Sequence, residues 1–216
     1  MSSSHNGNND FIDLSDSSDW DFDTGNFAFR INVLFRDLSS TDRGLIDSQG
    51  QIGIFWNIPS DLEVFIDGLG YRYPWVPIIN KNYSVVVTRI GTNLTAWVDA
   101  IQIGTSASNA TSISGSTSNL RLGGFLDGTK DLNGVISGFS VWKGVGLTPD
   151  EIRTVSVGNC MTSIYTIQPS NLVAFLPLDD YPEGLALGVV RDRVKNNHGT
   201  PSGSPTSVAE SVMSYS

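Results

Sequence analysis

The sequence predicts an all-β fold, a sandwich of two antiparallel sheets, and three observations carry that prediction. Apolar residues recur with period two, 22 Gly and 9 Pro interrupt the chain at short intervals, and only one segment carries helical punctuation. The chain of 216 residues is 39% hydrophobic and 16% charged, enough apolar material for one core and too little charge for a disordered chain.

The clearest strand is 27–35, where Phe27, Phe29, Ile31, Val33 and Phe35 fall on one face and Ala28, Arg30 and Asn32 on the other. Further strands are expected at 52–56, 62–66, 83–90, 94–98, 120–122, 135–142 and 172–176. Their spacing of about 8–12 residues suits a sandwich or barrel. The helical segment is 148–155: Thr148 is placed to cap it, Pro149 takes its first position, and Glu151 completes a capping box. Residues 105–118 are nearly all small and polar and read as a long loop. Residues 1–9 are expected to form a flexible arm, 10–200 one domain, and 201–216 a Ser/Pro/Gly-rich tail.

A net charge of −9 argues against nucleic acid, whose phosphates call for stripes of Lys and Arg, and against anionic membrane surfaces. No apolar run reaches the roughly 18 residues needed to span a bilayer. The first ten residues show neither the basic nor the apolar region of a secretory signal. A single cysteine, Cys160, leaves no internal disulfide and reads as a small packed hydrophobe.

Several motifs, taken in order, resemble a known family. They are DFIDL (10–14), DWDFDTGNF (19–27), YSVVVTRIGTNLTAWVD (83–99), LRLGG (120–124), LNGVISGFSVW (132–142) and LTPDEI (147–152). Together, residues 10–157 resemble a laminin-G-like jelly roll of the concanavalin A-like class, in the version common in bacterial and phage proteins. The resemblance implies a two-sheet antiparallel jelly roll, with 171–200 adding a terminal strand to it. It also implies calcium at a loop rim, for which Asp99, Asp127 and Asp131 are the candidate ligands. Against calcium, Ala100 stands where the family usually has Gly, Ser137-Gly138 replaces an acidic pair, and all three aspartates read more simply as turn carboxylates beside Gly.

Asp19, Asp21 and Asp23 alternate like the start of an EF-hand loop. Thr24 at the sixth place and Arg30 at the twelfth do not fit that loop, so the run reads as a strand with one wet face. Residues 70–77 (GYRYPWVP) are the main binding candidate. Tyr71, Tyr73 and Trp75 could stack on sugar rings and Arg72 could bond hydroxyls, and the same residues suit a protein interface. The plainer alternative is an aromatic cluster closing one end of the core.

No pair of carboxylates on one strand has glycosidase spacing, and neither His5 nor His198 suggests a triad, so the chain reads as a non-enzyme. Fold and context point first to a structural and binding protein on the surface of a phage-like virion, a capsid decoration or a fibre or tail accessory. It would assemble in the host cytoplasm, self-associate, and contact other virion proteins and host-surface glycans. The alternative is a lectin-like glycan-binding module of a bacterial surface or secreted protein.

Overall fold

A computed structural model describes residues 2–39, 42–49, 51–114, 117–157, 161–179 and 184–208. Two antiparallel sheets face each other, one of eight strands and one of seven. The first sheet is built on β3 (Phe27–Phe35), β8 (Asn82–Ile90), β9 (Asn93–Val98), β10 (Ile101–Ser108) and β12 (Asn133–Lys143). It runs β10-β9-β8-β3-β12 and continues through β1 (Ser2–Asn6) to β15 (Thr206–Val208). Strand β12 shares its far edge: β1 takes Asn133 to Ile136, and β13 (Leu172–Leu176) takes Phe139 to Trp142. The second sheet runs β14 (Gly199–Ser202), β2 (Phe11–Leu14), β11 (Leu120–Leu122), β4 (Arg43–Ser48), β5 (Ile52–Asn57), β6 (Asp61–Ile66) and β7 (Leu69–Pro74).

The period-two pattern explains where the core sits. All five odd-numbered apolar residues of β3 enter the space between the sheets, where they meet Ile52, Ile54 and Trp56 of β5 and Leu62, Val64 and Ile66 of β6. The even face of β3 is buried as well. Ala28 packs with Val86 and Trp142 under α1 (Pro149–Ser156) and α2 (Met161–Thr166), so the first sheet is covered on its outer side. Thr148 caps α1 through the capping box with Glu151, as its sequence predicts. Helix α2 has no such punctuation in the sequence; the Trp142 indole N–H donates to the Ile167 carbonyl just beyond its end, at 2.8 Å.

Four expectations change. The flexible arm is in fact strand β1, with Ser2, Ser3 and His5 buried, because β12 and β15 take up its backbone groups on both sides. The tail is paired as far as Val208: 199–202 joins β2 and 206–208 joins β1, while 209–216 lie outside the described residues. Pro201 is accommodated because β14 is an edge strand. In the 105–118 segment, residues up to Ser108 extend β10 after a bulge, and Ile113 bridges to Asp23. Finally, 18–20 is a short helical turn, and Trp20 and Phe22 turn into the core. Cys160 lies outside the described residues.

Candidate functional site

The outward face of the second sheet carries the feature best suited to a ligand. Strand pairing sets one row of residues across it: Asp13, Arg121, Asp47, Gly53, Phe65 and Gly70. The neighbouring row is Gly44, Phe55, Glu63 and Arg72. Paired residues in antiparallel strands share a face, so Phe55 and Phe65 point away from the core that Ile54 and Val64 enter.

The loop between β11 and β12 folds back over these rows. Leu126 N–H donates to Asp47 Oδ2 at 2.8 Å, and Arg121 Nη1 donates to the Phe125 carbonyl at 3.1 Å. Arg121 is itself fixed by Asp13, which accepts from Nε at 2.8 Å and from Nη2 at 3.0 Å. The Phe125 ring then stands edge-on to Phe55, with centroids 5.1 Å apart. Lys130 Nζ lies 4.1 Å from the Phe55 centroid and 2.6 Å from Asp42 Oδ2. What remains open is a cleft of about 290 Å³ lined by Phe55, Phe65, Phe125, Asp47, Glu63, Asp127, Gln49 and Lys130.

Gly53 lies in the outward row between Asp47 and Phe65, so a Cβ there would project among the side chains at the cleft floor. A methyl group there would sit 3.3 Å from Phe125 Cζ, 3.5 Å from Phe65 Cβ and 3.6 Å from Asp47 Oδ1. Burial raises the pKa of Asp47 above the ordinary carboxylate value; the nearby charge of Asp127 adds to this, and the Leu126 N–H opposes it. Glu63 accepts from Arg72 Nε at 3.1 Å and from the Asn57 amide.

Of the candidates read from sequence, Asp127 lines this cleft and Arg72 borders it; the others lie elsewhere. Tyr73 is 1% exposed and its hydroxyl donates to the Leu94 carbonyl at 3.0 Å. Tyr71 packs against the core and accepts from Asn109 Nδ2, and Trp75 stands edge-on to both Phe35 and Tyr83. Tyr73 therefore belongs to the core and offers no stacking face, while Tyr71 and Trp75 are half-buried against it, in keeping with the aromatic cluster that closes one end of the core. Strand phase turns Tyr71 and Tyr73 inward, and Arg72 between them reaches outward, bordering the cleft through Glu63.

Nor do Asp99, Asp127 and Asp131 converge. Asp99 accepts from Ser84 N–H in the first sheet and lies 3.8 Å from Lys81 Nζ. Asp127 accepts from Thr129 within its own turn, and Asp131 accepts from Asn9 N–H. Among the described residues, no group of three or more His, Cys, Asp or Glu is placed to hold a metal.

The family described as the concanavalin A-like lectin/glucanases superfamily (Laminin_G_3) matches residues 6–153. The chain belongs to this superfamily. Among solved structures that share the superfamily fold is a protein of Bacteroides ovatus with an inferred role in carbohydrate binding. It is 17% identical with a TM-score of 0.74 over 96% of this chain, which spans 60% of that one. A heptameric SAP-like pentraxin from Limulus polyphemus is 13% identical, with a TM-score of 0.59 over 72% of this chain and 81% of its own. Domain 4 of AbnA, an extracellular GH43 arabinanase from Geobacillus stearothermophilus solved with arabinotriose, is 14% identical. Its TM-score is 0.54 over 68% of this chain and 72% of its own. No curated protein matches the chain by sequence.

Apart from Asp127, the cleft residues are not candidates in the sequence reading, although part of the signal is there. Phe55 follows the phase of Gly53 and Asn57 rather than that of Ile54 and Trp56, and Phe65 follows the phase of Glu63. An aromatic in the polar phase of a half-buried strand marks a ring on the outer face. The contribution of Phe125 and Lys130 depends on how a loop folds back, which no local pattern encodes.

Proposed function

We propose that the chain is a lectin-like module that binds carbohydrate without transforming it, and that the cleft on the outer face of the second sheet holds the sugar. The observation that carries this reading is the half-buried rings of Phe65 and Phe125 in one cleft, with the buried Phe55 ring behind them and Asp47 and Glu63 beside them. Sugars present apolar C–H faces and hydroxyl edges. Rings supply contact area for the first and carboxylates accept hydrogen bonds from the second. Superfamily membership and the carbohydrate-linked structural relatives support the reading.

Binding without turnover follows from how the acids are used. Asp47 and Glu63 are on strands separated by β5, so their backbones stand roughly 9–10 Å apart across the sheet. Glu63 is held by Arg72 and Asn57, and Asp47 by a backbone N–H, so neither is set up as a free acid or nucleophile. The comparisons give no support to a phage-particle role; a glycan ligand in an extracellular or cell-surface setting takes its place in our reading. Self-association remains part of that reading, because several shallow sites on one assembly raise avidity.

A glycan array probed with the wild type, Gly53→Ala and Phe65→Ala tests the site. Ala is a better strand residue than Gly, and its methyl meets only ordinary or slightly tight contacts, so Gly53→Ala is expected to fold normally while filling the floor. Wild-type binding should saturate, and each variant should weaken it at least tenfold. Retention of no glycan would overturn the reading.

A further inference from the structure

Resting on the sugar-cleft reading, we infer that the cleft selects uncharged sugar units and excludes units carrying a carboxylate, sulfate or phosphate, with Asp47 and Asp127 as the excluding groups. The lining sets the carboxylates of Asp47, Glu63 and Asp127 against one ammonium, Lys130. That ammonium is already engaged by Asp42 at 2.6 Å and lies over the Phe55 ring. Arg121, the guanidinium that anchors the loop, is held by Asp13 and the Phe125 carbonyl. Arg72 offsets Glu63, and Arg121, ion-paired with Asp13, offsets Asp47 only from a distance, so Asp47 and Asp127 are the cleft carboxylates with no ion pair among these contacts.

Asp127 is close enough to Asp47 to act on it. Burial is the main cause that raises the pKa of Asp47, and the charge of Asp127 adds to it, against the Leu126 and Gln49 N–H groups and the more distant Arg121. A further anion here would add to a like-charge field. Neutral hydroxyls do the reverse, since each can donate to a carboxylate oxygen. The exclusion is therefore a like-charge penalty set against every acidic sugar, while the rings serve neutral and acidic sugars alike. Asp127 is exposed at the rim, so its share weakens with salt; Asp47 is buried beside the floor, so its share persists.

The test is an array of neutral oligosaccharides, each printed beside its uronate or sulfated counterpart. It is probed with the wild type, Gly53→Ala, and the double variant Asp47→Asn with Asp127→Asn. Asn keeps an acceptor for the Leu126 and Thr129 N–H groups, so the double variant should fold, and it removes only two of the nine net negative charges. The expected result is a preference of at least tenfold for neutral over acidic members of a pair. That preference should narrow to within about threefold in the double variant. Acidic counterparts bound as well by the wild type, and lost in Gly53→Ala, would overturn the selectivity while leaving the sugar site standing. A neutral preference unchanged in the double variant would overturn the roles of Asp47 and Asp127. No binding, or binding indifferent to Gly53→Ala, would overturn both the selectivity and the site.

Discussion

Arg89 is fully buried, and among the described residues its guanidinium's hydrogen-bond partners are all neutral oxygens. Its guanidinium donates to the carbonyls of Asp23, Gly25 and Thr111 and to Asn109 Oδ1, and it lies 4.8 Å from the Phe27 centroid. One side chain thus ties the entry to β3 to the segment after β10. Lysine has a single point of charge and cannot span these acceptors. Arg89→Lys should therefore cost about 2–4 kcal/mol in urea unfolding, from several charge-assisted bonds lost together. His5 makes a second prediction. Burial lowers its pKa below the ordinary imidazole value, opposed by its bond to the Asp10 carbonyl and by the charges of Asp10 and Asp131, while Arg36 lowers it further. The folded state thus holds His5 neutral, so its stabilising share is complete above pH about 6.5 and falls away as the pH drops below that. Melting temperature should decline from pH 7 to pH 5, and His5→Gln should flatten that decline; equal slopes in the two proteins would contradict the assignment.

The turn joining β9 to β10 places Asp99 at φ 49° and Ala100 at φ 64°, a conformation glycine adopts freely and alanine only at a cost. Ala100→Gly should relieve that strain and raise stability by roughly 0.5–1 kcal/mol, a gain of a few degrees by calorimetry. The same scale shows what a sequence makes legible. Strands β3 and β8 and helix α1 announce themselves because side-chain periodicity or capping chemistry holds them in place. Strands β1, β14 and β15 consist of Ser, His, Asn, Gly, Thr, Pro and Val and carry no apolar alternation. They are held by backbone pairing across 130 residues or more of chain, as between Ser3 and Ile136 or Ser202 and Phe11. The aromatic run of β7 misleads for a different reason. Its prolines suggest exposure, yet Tyr71 and Tyr73 pair with Val64 and Leu62 and share their inward face. Within the cleft, Phe55 and Phe65 were readable by phase, whereas Phe125 enters only through the Arg121 and Asp47 contacts that fold its loop back.

At the scale of the whole molecule, the two sheets have different tasks. The first is covered on its outer side by α1 and α2, and it takes in both the first strand and the last described one. The second leaves much of its outer face to one loop, and the cleft lies between that loop and β4, β5 and β6. A separate polar cleft of about 580 Å³ lies at 189–198, edged by Arg191, Arg193, Lys195 and His198. The two clefts differ in lining, aromatic and acidic in one and basic in the other, so a ligand's location is decisive for the account. Nuclear magnetic resonance titration of the labelled protein with neutral oligosaccharides reads that location directly. Shifts should concentrate at Asp47, Gly53, Phe55, Phe65 and the Phe125–Lys130 loop and be lost in Gly53→Ala. Shifts gathered at Arg191–His198, or at the rings of Tyr71 and Trp75, would contradict it.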